Sequence, residues 1–341
     1  MTAPTPAPPV PAARPGTVRV TVAVPTYRRP EDLRALLPLL VQQAREVPAG
    51  RYVVDVLVVD NDPDGGAAAT AAEAARAAGA AEGELRYAAE PTPGIAAVRN
   101  RALTEAAGAR LLAFLDDDER PEPGWLAALL DTWSATGAAA VSGVVLAGYA
   151  GELDPWIRAG GFFVRRRMPT GTGIDVAACG NLLLDLQQVR ALGLRFEPAL
   201  GLGGGEDTLF SRTLARAGGR MVWCDESVVV DRVPAERMTR TWVLTRAWSH
   251  GNAAVLTDLR LAPGTSARLR IRASGLARGL ARGGGGGLRW GWGLVSRSAR
   301  HQARGLRTLL RGAGMAAGAC GLVFEEYGRS GRRWRLTGGH R

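Results

Sequence analysis

An α/β fold with a mainly parallel sheet flanked by helices is the class this sequence predicts, and three observations carry it. Short apolar runs of strand length recur at residues 18–24, 53–59, 84–89 and 111–115. Stretches of helical period stand between them, at residues 31–46, 67–78 and 94–107. Three of the four runs end in polar residues, namely Pro25-Thr26-Tyr27, Asp60-Asn61-Asp62 and Asp116-Asp117-Asp118-Glu119. Strand–helix alternation implies βαβ units and a parallel sheet. Right-handed crossovers then bring successive strand ends to one edge, the edge at which open sheets bind ligands.

Each element has a local reason. Pro30 opens the first helix, a position where its missing N–H costs nothing. The run 111–115 delivers consecutive carboxylates, and Pro121, Pro123 and Gly124 turn the chain behind it. Beyond that turn a helix is expected at 124–136 and a strand at 139–146, with 148–175 irregular. Residues 176–184 read as extended and contain Cys179-Gly180-Asn181. A short helix at 187–192 leads to the glycine-rich run 201–205 and Glu206-Asp207, followed by a helix at 208–217. Strands are expected at 220–224 and 228–230, and a longer helix at 239–259. Residues 1–16 are Pro- and Ala-rich without periodicity and read as a disordered arm.

Composition narrows the class. The 341 residues, 46% hydrophobic, suffice for one large domain with an appendage, or for two. Three cysteines without metal-ligand spacing, odd in number, argue against a disulfide framework and suit a reducing cytosol. No basic segment followed by an apolar one marks a secretory signal. The formal net charge is +11, and every basic side chain besides histidine is arginine. Seventeen arginines against Glu325 and Glu326 lie from Arg260 onward. The basicity therefore belongs to the C-terminal part.

The candidate chemistry is carboxylate chemistry. Adjacent carboxylates repel and call for a compensating cation. A hard divalent ion takes one or two of them and completes its sphere with water and phosphate oxygens. A solvated acidic turn is the plain alternative. Asp207 at a helix start is favoured in its ionised form by the macrodipole and suits general-base work on a hydroxyl, although Asp is also an ordinary N-cap. Asp60 can accept from a nucleobase or ribose, or serve a turn rich in Asp, Asn, Pro and Gly. Tyr27 can stack on a base. Arg99, on the helix after Gly94, can face phosphates or the acidic run. Three scattered histidines form no recognisable metal or triad motif, and without lysine no Walker A motif exists.

Read together, the stretches 22–30, 58–62, 94–100, 114–118 and 205–207 resemble the family 2 glycosyltransferases, in order and at family-like spacing over about residues 18–257. The resemblance implies a GT-A fold and inverting transfer of a sugar from a UDP-, GDP- or dTDP-sugar to a carbohydrate or lipid-linked acceptor. Carried over by position, Pro25, Thr26 and Tyr27 line the nucleotide pocket and Asp60 contacts the base. Asp116 and Asp117 sit by the ribose and donor sugar, with Arg99 nearby. Asp118, with Asp116, holds Mg²⁺ or Mn²⁺. Asp207 is the general base, with Glu206 beside it. Many relatives carry a metal-ligating His before a Val-Pro pair; here Asp231-Arg232-Val233-Pro234 has none.

On this reading residues 17–260 form the catalytic domain, with a nucleotide-binding half at 17–120 and an acceptor-side half at 121–260. Residues 261–341 form a basic helical extension, split by the glycines at 283–287. Its Arg, Trp and Leu content suits contact with an anionic membrane surface. No apolar run is long enough to span a bilayer, so the expected location is the cytoplasm or the inner face of its membrane. Two rivals fit less well. A sugar nucleotidyltransferase would show a Gly-rich loop with lysine. A non-catalytic basic protein binding nucleic acid or membrane leaves the acidic strand ends unexplained, and no nucleic-acid motif is present.

Overall fold

The computed structural model describes residues 16–200, 204–325 and 333–336. Most of the arm expected at 1–16, and Gly201, Leu202 and Gly203 of the glycine-rich run, lie outside them. The chain forms two compact units. The first holds residues up to Leu146, Arg165–Pro198 and Phe210–Asp231; the second holds Ala147–Val164, Ala199–Leu209 and the chain from Arg232.

The first unit is organised by an eight-stranded sheet. Its parallel part is β1 (Val18–Thr26), β2 (Tyr52–Asp60), β3 (Leu85–Ala89) and β4 (Leu111–Leu115). Helices α1 (Pro30–Glu46), α2 (Ala68–Ala77) and α3 (Ile95–Glu105) connect them. Then follow β5 (Glu119–Pro121), α4 (Trp125–Thr136) and β6 (Ala140–Tyr149). The spatial order is β3-β2-β1-β4, continued by β7 (Asn181–Asp185), β6, β8 (Met221–Val233) and β5. The first four strands pair in parallel. Strand β7 runs antiparallel to both β4 and β6, and β5 runs antiparallel to β8. The parallel sheet is thus the half that carries the polar strand ends.

Burial on both faces explains why these strands are near-continuously apolar. Side chains alternate across the sheet: Val20, Val22, Val56 and Val58 face α1, α2 and α4 in one core, while Ala23, Leu57, Val59 and Phe114 face α3 in the other. Helix α1 begins with Pro30 and places Glu31 and Asp32 in its first turn, where the dipole favours them. The second core is closed by α6 (Leu186–Ala191) and by α7 (Glu206–Arg216), whose Phe210 and Leu214 join it.

In the second unit α5 (Pro155–Gly160) packs aromatic residues: Trp156 stacks on Phe162, and Phe163 on Trp242 of α8 (Arg240–Arg260). Helices α9 (Thr265–Val295) and α10 (Ala299–Ala319) follow, then a two-stranded ribbon of β9 (Leu322–Glu325) and β10 (Arg333–Leu336).

Four local expectations change. Residues 148–175 are not wholly irregular, because Asp154 caps α5 by accepting from the Trp156 N–H at 2.7 Å; a six-residue helix is too short to show a period. Of the extended segment only 181–184 lies in a strand, β7, which ends one residue later at Asp185. The two strands expected at 220–224 and 228–230 are one, continuing through Asp225-Glu226-Ser227. Finally, the glycines at 283–287 do not split the extension, since α9 runs through them. A Cβ on Gly286 would collide with the backbone of Leu309 and Gly305 on α10. Close helix packing here overrides the low helix propensity of glycine.

One buried ion pair ties the parallel strands together. Arg86 on β3 donates twice to Asp55 Oδ2 on β2, at 2.7 and 2.9 Å, and Thr21 on β1 donates to Asp55 Oδ1 at 3.0 Å. Burial pushes the Asp55 carboxyl above its ordinary value, against the lowering pull of Arg86. Removing one partner leaves a buried charge uncompensated. Arg86→Ala is therefore expected to destabilise the chain by about 3–5 kcal/mol in urea unfolding, whereas Arg45→Ala, at an exposed pair with Glu84, is expected to cost no more than about 1 kcal/mol.

Candidate active site

The parallel register sets the ends of β1, β2 and β4 side by side: Thr26 is paired with Asp60, and Ala23 with Phe114 just before the acidic run. Pro25 and Thr26 are buried at the end of β1, and Tyr27 is 39% exposed. Arg28 follows with φ 55°, a left-handed conformation unusual for a residue with a side chain. Its guanidinium lies over the Tyr27 ring at 5.2 Å and reaches Asp62 at 3.2 Å. The loop is thus held in a strained shape with Tyr27 at the surface.

The acidic run is balanced by two arginines from different elements. Arg29 Nη1 bridges Asp117 Oδ1 at 2.7 Å and Asp118 Oδ2 at 2.9 Å. Arg99 on α3 approaches Asp116 Oδ1 at 3.5 Å. Thr26 donates to Asp117 Oδ2 at 2.8 Å. Burial raises the Asp117 carboxyl to about 6, against the lowering pull of Arg29, with Asp118 adding to the rise. Arg29 is held above its ordinary value: burial opposes its charge, but the two aspartates outweigh that.

Glu119 completes the cluster. It is buried, accepts from the Asp116 N–H at 3.1 Å, and pairs in register with Asp231 of β8. Burial, then the charge of Asp116, with smaller contributions from Asp118 and Asp231, pushes its carboxyl well above the usual range. A Cβ on Gly180 would collide with the Glu119 carboxylate, so a larger residue there would force that carboxylate to shift. Asp231 Oδ2 meets Arg165 at 3.0 Å.

Asp60 behaves differently from the expectation that it contacts a base. It is fully buried, and both oxygens are engaged inside the loop: Oδ1 accepts from the Asp62 N–H, and Oδ2 from the Ala67 N–H and the Tyr87 hydroxyl. It braces the segment 61–67 instead. Asn61 extends the brace, donating to the Glu90 and Thr92 carbonyls and accepting from Gly94 N–H, the residue that starts α3. Asn100 holds α3 to the backbone of Phe196, whose ring lies 5.8 Å from Arg99.

Pro25, Thr26, Tyr27, Asp60, Arg99, Asp116, Asp117 and Asp118 are therefore gathered in the first unit. Glu206 and Asp207 stand on the first turn of α7, in residues of the second unit. Gly205 before them has φ 91° and lies against Ala253 and Thr257 of α8, so that turn is fixed to a long helix. Glu206 is buried and Asp207 half-buried. Sequence reasoning missed Arg29 and Gly180 and left Glu119 without a role. In a chain with so many arginines a single one carries no signal, whereas Glu119 stood in plain view at the end of the acidic run.

Comparison with known proteins accords with this geometry. The chain matches the family described as Glycosyl transferase family 2 over residues 21–187. It is 35% identical over 242 residues to the succinoglycan biosynthesis protein ExoM of Rhizobium meliloti (strain 1021), covering 69% of this chain and 74% of that protein. Among solved structures it is similar to the mannosyltransferase PcManGT of Pyrobaculum calidifontis in complex with GDP-Man and Mn²⁺. There the TM-score is 0.57 at 18% identity, over 90% of this chain and 89% of that one. TarS of S. aureus aligns with a TM-score of 0.50 at 14% identity, over 92% of this chain and 59% of that one.

The raised carboxyl of Asp117 makes stability depend on pH. The folded chain holds this proton more tightly than the unfolded chain, whose aspartate titrates near 3.8. Its contribution therefore favours the fold at low pH, falls as pH rises from about 4 to about 6, and is flat above. Asp117→Asn is expected to gain on the wild type by about 2–3 kcal/mol across that window, read as the difference between urea-unfolding free energies at pH 4 and pH 7. Parallel pH profiles for the two proteins would refute the assignment.

Proposed function

The chain belongs to glycosyl transferase family 2 and has the GT-A fold, and from that premise we propose that it moves a sugar, with inversion, from a nucleotide-diphosphate sugar to an acceptor hydroxyl in the synthesis of a polysaccharide or glycolipid. The observation that carries the reading is the meeting of three strand ends, with Thr26, Tyr27 and Asp116–Asp118, at one edge of the parallel sheet. ExoM, named for succinoglycan biosynthesis, supports the polysaccharide setting.

In this reading Pro25 and Thr26 form the floor under the nucleotide and Tyr27 offers its exposed ring to the base. Asp60 and Asn61 position that loop without touching the donor. Arg99 orients Asp116 for the ribose and donor sugar, and Arg29 holds Asp117 and Asp118 in place.

The carboxylates fit a hard divalent cation. Asp116, Asp118, Glu119 and Asp231 bring hard oxygen donors to one end of the sheet. Among the described residues no group of three or more His, Cys, Asp or Glu is arranged to hold a metal ion by itself, so the reading rests on one or two carboxylates. That suits an ion which keeps waters and takes substrate phosphates as ligands, and hard oxygen donors suit Mg²⁺ or Mn²⁺. Asp118, with Asp116, would hold it. When bound, such an ion neutralises charge on the leaving diphosphate.

Asp207 is the proposed base. It stands on the first turn of α7, and its partial exposure leaves it accessible to an acceptor hydroxyl. It removes the acceptor hydroxyl proton as that oxygen attacks the anomeric carbon and the bond to the diphosphate breaks. Glu206, buried beside it, positions the turn.

The first test is calorimetry of UDP-, GDP- and dTDP-sugars with Mn²⁺ and with EDTA. Binding of one nucleotide class that requires the metal and is lost in Asp118→Ala is expected. Asp207→Asn is expected to keep donor binding while transfer falls by about 10²–10⁴-fold; normal turnover in that variant refutes the base.

A further inference from the structure

The second unit contains a groove of about 590 Å³ between α5, α9 and α10, and its lining is cationic: Arg282 and Arg289 from α9, Arg304, Arg307 and Arg311 from α10. Gly160, Gly161, Val164 and Thr308 complete the wall, and no carboxylate lines it.

These arginines differ from the ion-paired arginines elsewhere in the chain. Arg29, Arg86, Arg120, Arg167 and Arg240 each meet a carboxylate within ion-pair distance. Among the described residues, none of the five groove arginines does. Among the described residues their anchors are weaker. Arg307 donates to the Gly161 carbonyl at 3.0 Å and lies over the Phe162 ring at 5.5 Å, and Arg282 reaches the Met315 sulfur at 3.6 Å. Arg307 is held below its ordinary value by burial and by Arg311 and Arg304; Arg311 is held down by burial and by Arg282. Like charges here oppose one another without compensation.

Helix packing produces the convergence. A Cβ on Gly279 would come within 2.8 Å of the Gly312 carbonyl, and one on Gly286 within 2.9 Å of the Gly305 carbonyl. Backbones this close bring the flanking side chains together. Arg282 and Arg289 each stand three residues after such a glycine on α9, while Arg304 and Arg311 immediately precede Gly305 and Gly312 on α10. The arginines repeat at the same seven-residue step as the contacts that join the helices.

We propose that this groove is a phosphate-binding site, taking a phosphate ester or diphosphate group between the guanidinium groups of Arg282, Arg289, Arg304, Arg307 and Arg311. Planar guanidinium forks bind phosphate oxygens bidentately, and an anion removes the mutual repulsion. The group can arrive on a soluble ligand or on a lipid. Helix α9 also exposes Leu280, Leu288, Trp292 and Val295, an apolar face that would suit a lipid-borne phosphate. The site shares no residue with the acidic strand ends, and so the proposal stands whether or not the donor reading does.

The test uses the full chain and two double variants. Arg304→Gln/Arg311→Gln removes groove charge at residues whose side chains have no hydrogen-bond or ion-pair partner among the described residues. Arg268→Gln/Arg270→Gln removes the same charge from exposed positions of α9 outside the groove. Pyrophosphate binding is measured by calorimetry in about 0.1 M salt, where diffuse surface charge is largely screened. Vesicle binding is measured by flotation with phosphatidylcholine alone and with added phosphatidylglycerol. The groove variant is expected to lose at least about tenfold in affinity for pyrophosphate or for anionic vesicles, while the control variant stays near wild type. Loss in the pyrophosphate arm marks a free phosphate or diphosphate ligand; loss confined to the anionic vesicles marks a lipid headgroup. Equal losses in both variants, or no binding of either probe by the wild type, overturn the proposal. If the double variant melts early, Arg289→Gln alone replaces it, with the same outcomes.

Discussion

The first unit depends on keeping three successive carboxylates beside one another at the end of β4. Two unit charges about 4 Å apart near a protein surface interact by roughly 4 kcal/mol, so the acidic run is tolerable only with counter-charge delivered from elsewhere. Arg29 and Arg99 deliver it, one from the turn after β1 and the other from α3. Their placement is inherited from quieter residues. Asn61 fixes the start of α3 through Gly94, and Asn100 fixes its middle through Phe196. The β1–β2 register puts Asn61 where it can do so. A parallel sheet with short connections therefore serves the site twice, by collecting the strand ends and by aiming the arginines that hold them.

Much of this was legible before any coordinates. The strand–helix alternation fixes a parallel half-sheet because its period and its turn residues agree at every step. The polar strand ends then follow from topology alone. What sequence could not supply was direction. Asp60 carries the right chemistry for a base contact, yet its oxygens turn inward to the Asp62 and Ala67 N–H groups, a choice made by tertiary context. Arg29 sat in plain view beside Arg28, and nothing in the pattern distinguished the one that bridges Asp117 and Asp118 from the one over Tyr27. Glycines misled in the opposite sense. The run at 283–287 reads as a break by propensity, but at Gly286 it is a contact surface for α10.

The two units also handle charge in opposite ways. Around the acidic run every aspartate is met by an arginine, and Glu119 is held towards its neutral form by burial first and then by the charge of Asp116. Arginine has no such outlet, because its guanidinium stays protonated across the physiological range. Five of them line one groove and remain charged.

That asymmetry bears on how coding bias should be weighed. An all-arginine, glycine-rich composition gives good reason to discount any single Arg or Gly. It gives no reason to expect glycine contacts and arginines to share a seven-residue step on two antiparallel helices, or those arginines to face one cavity without a carboxylate. Composition supplies the residues, and packing decides which of them meet. In α9 and α10 the glycines set the distance between the backbones, and that distance sets how closely the positive charges approach. Here a helix contact that admits no side chain brings the five to one groove.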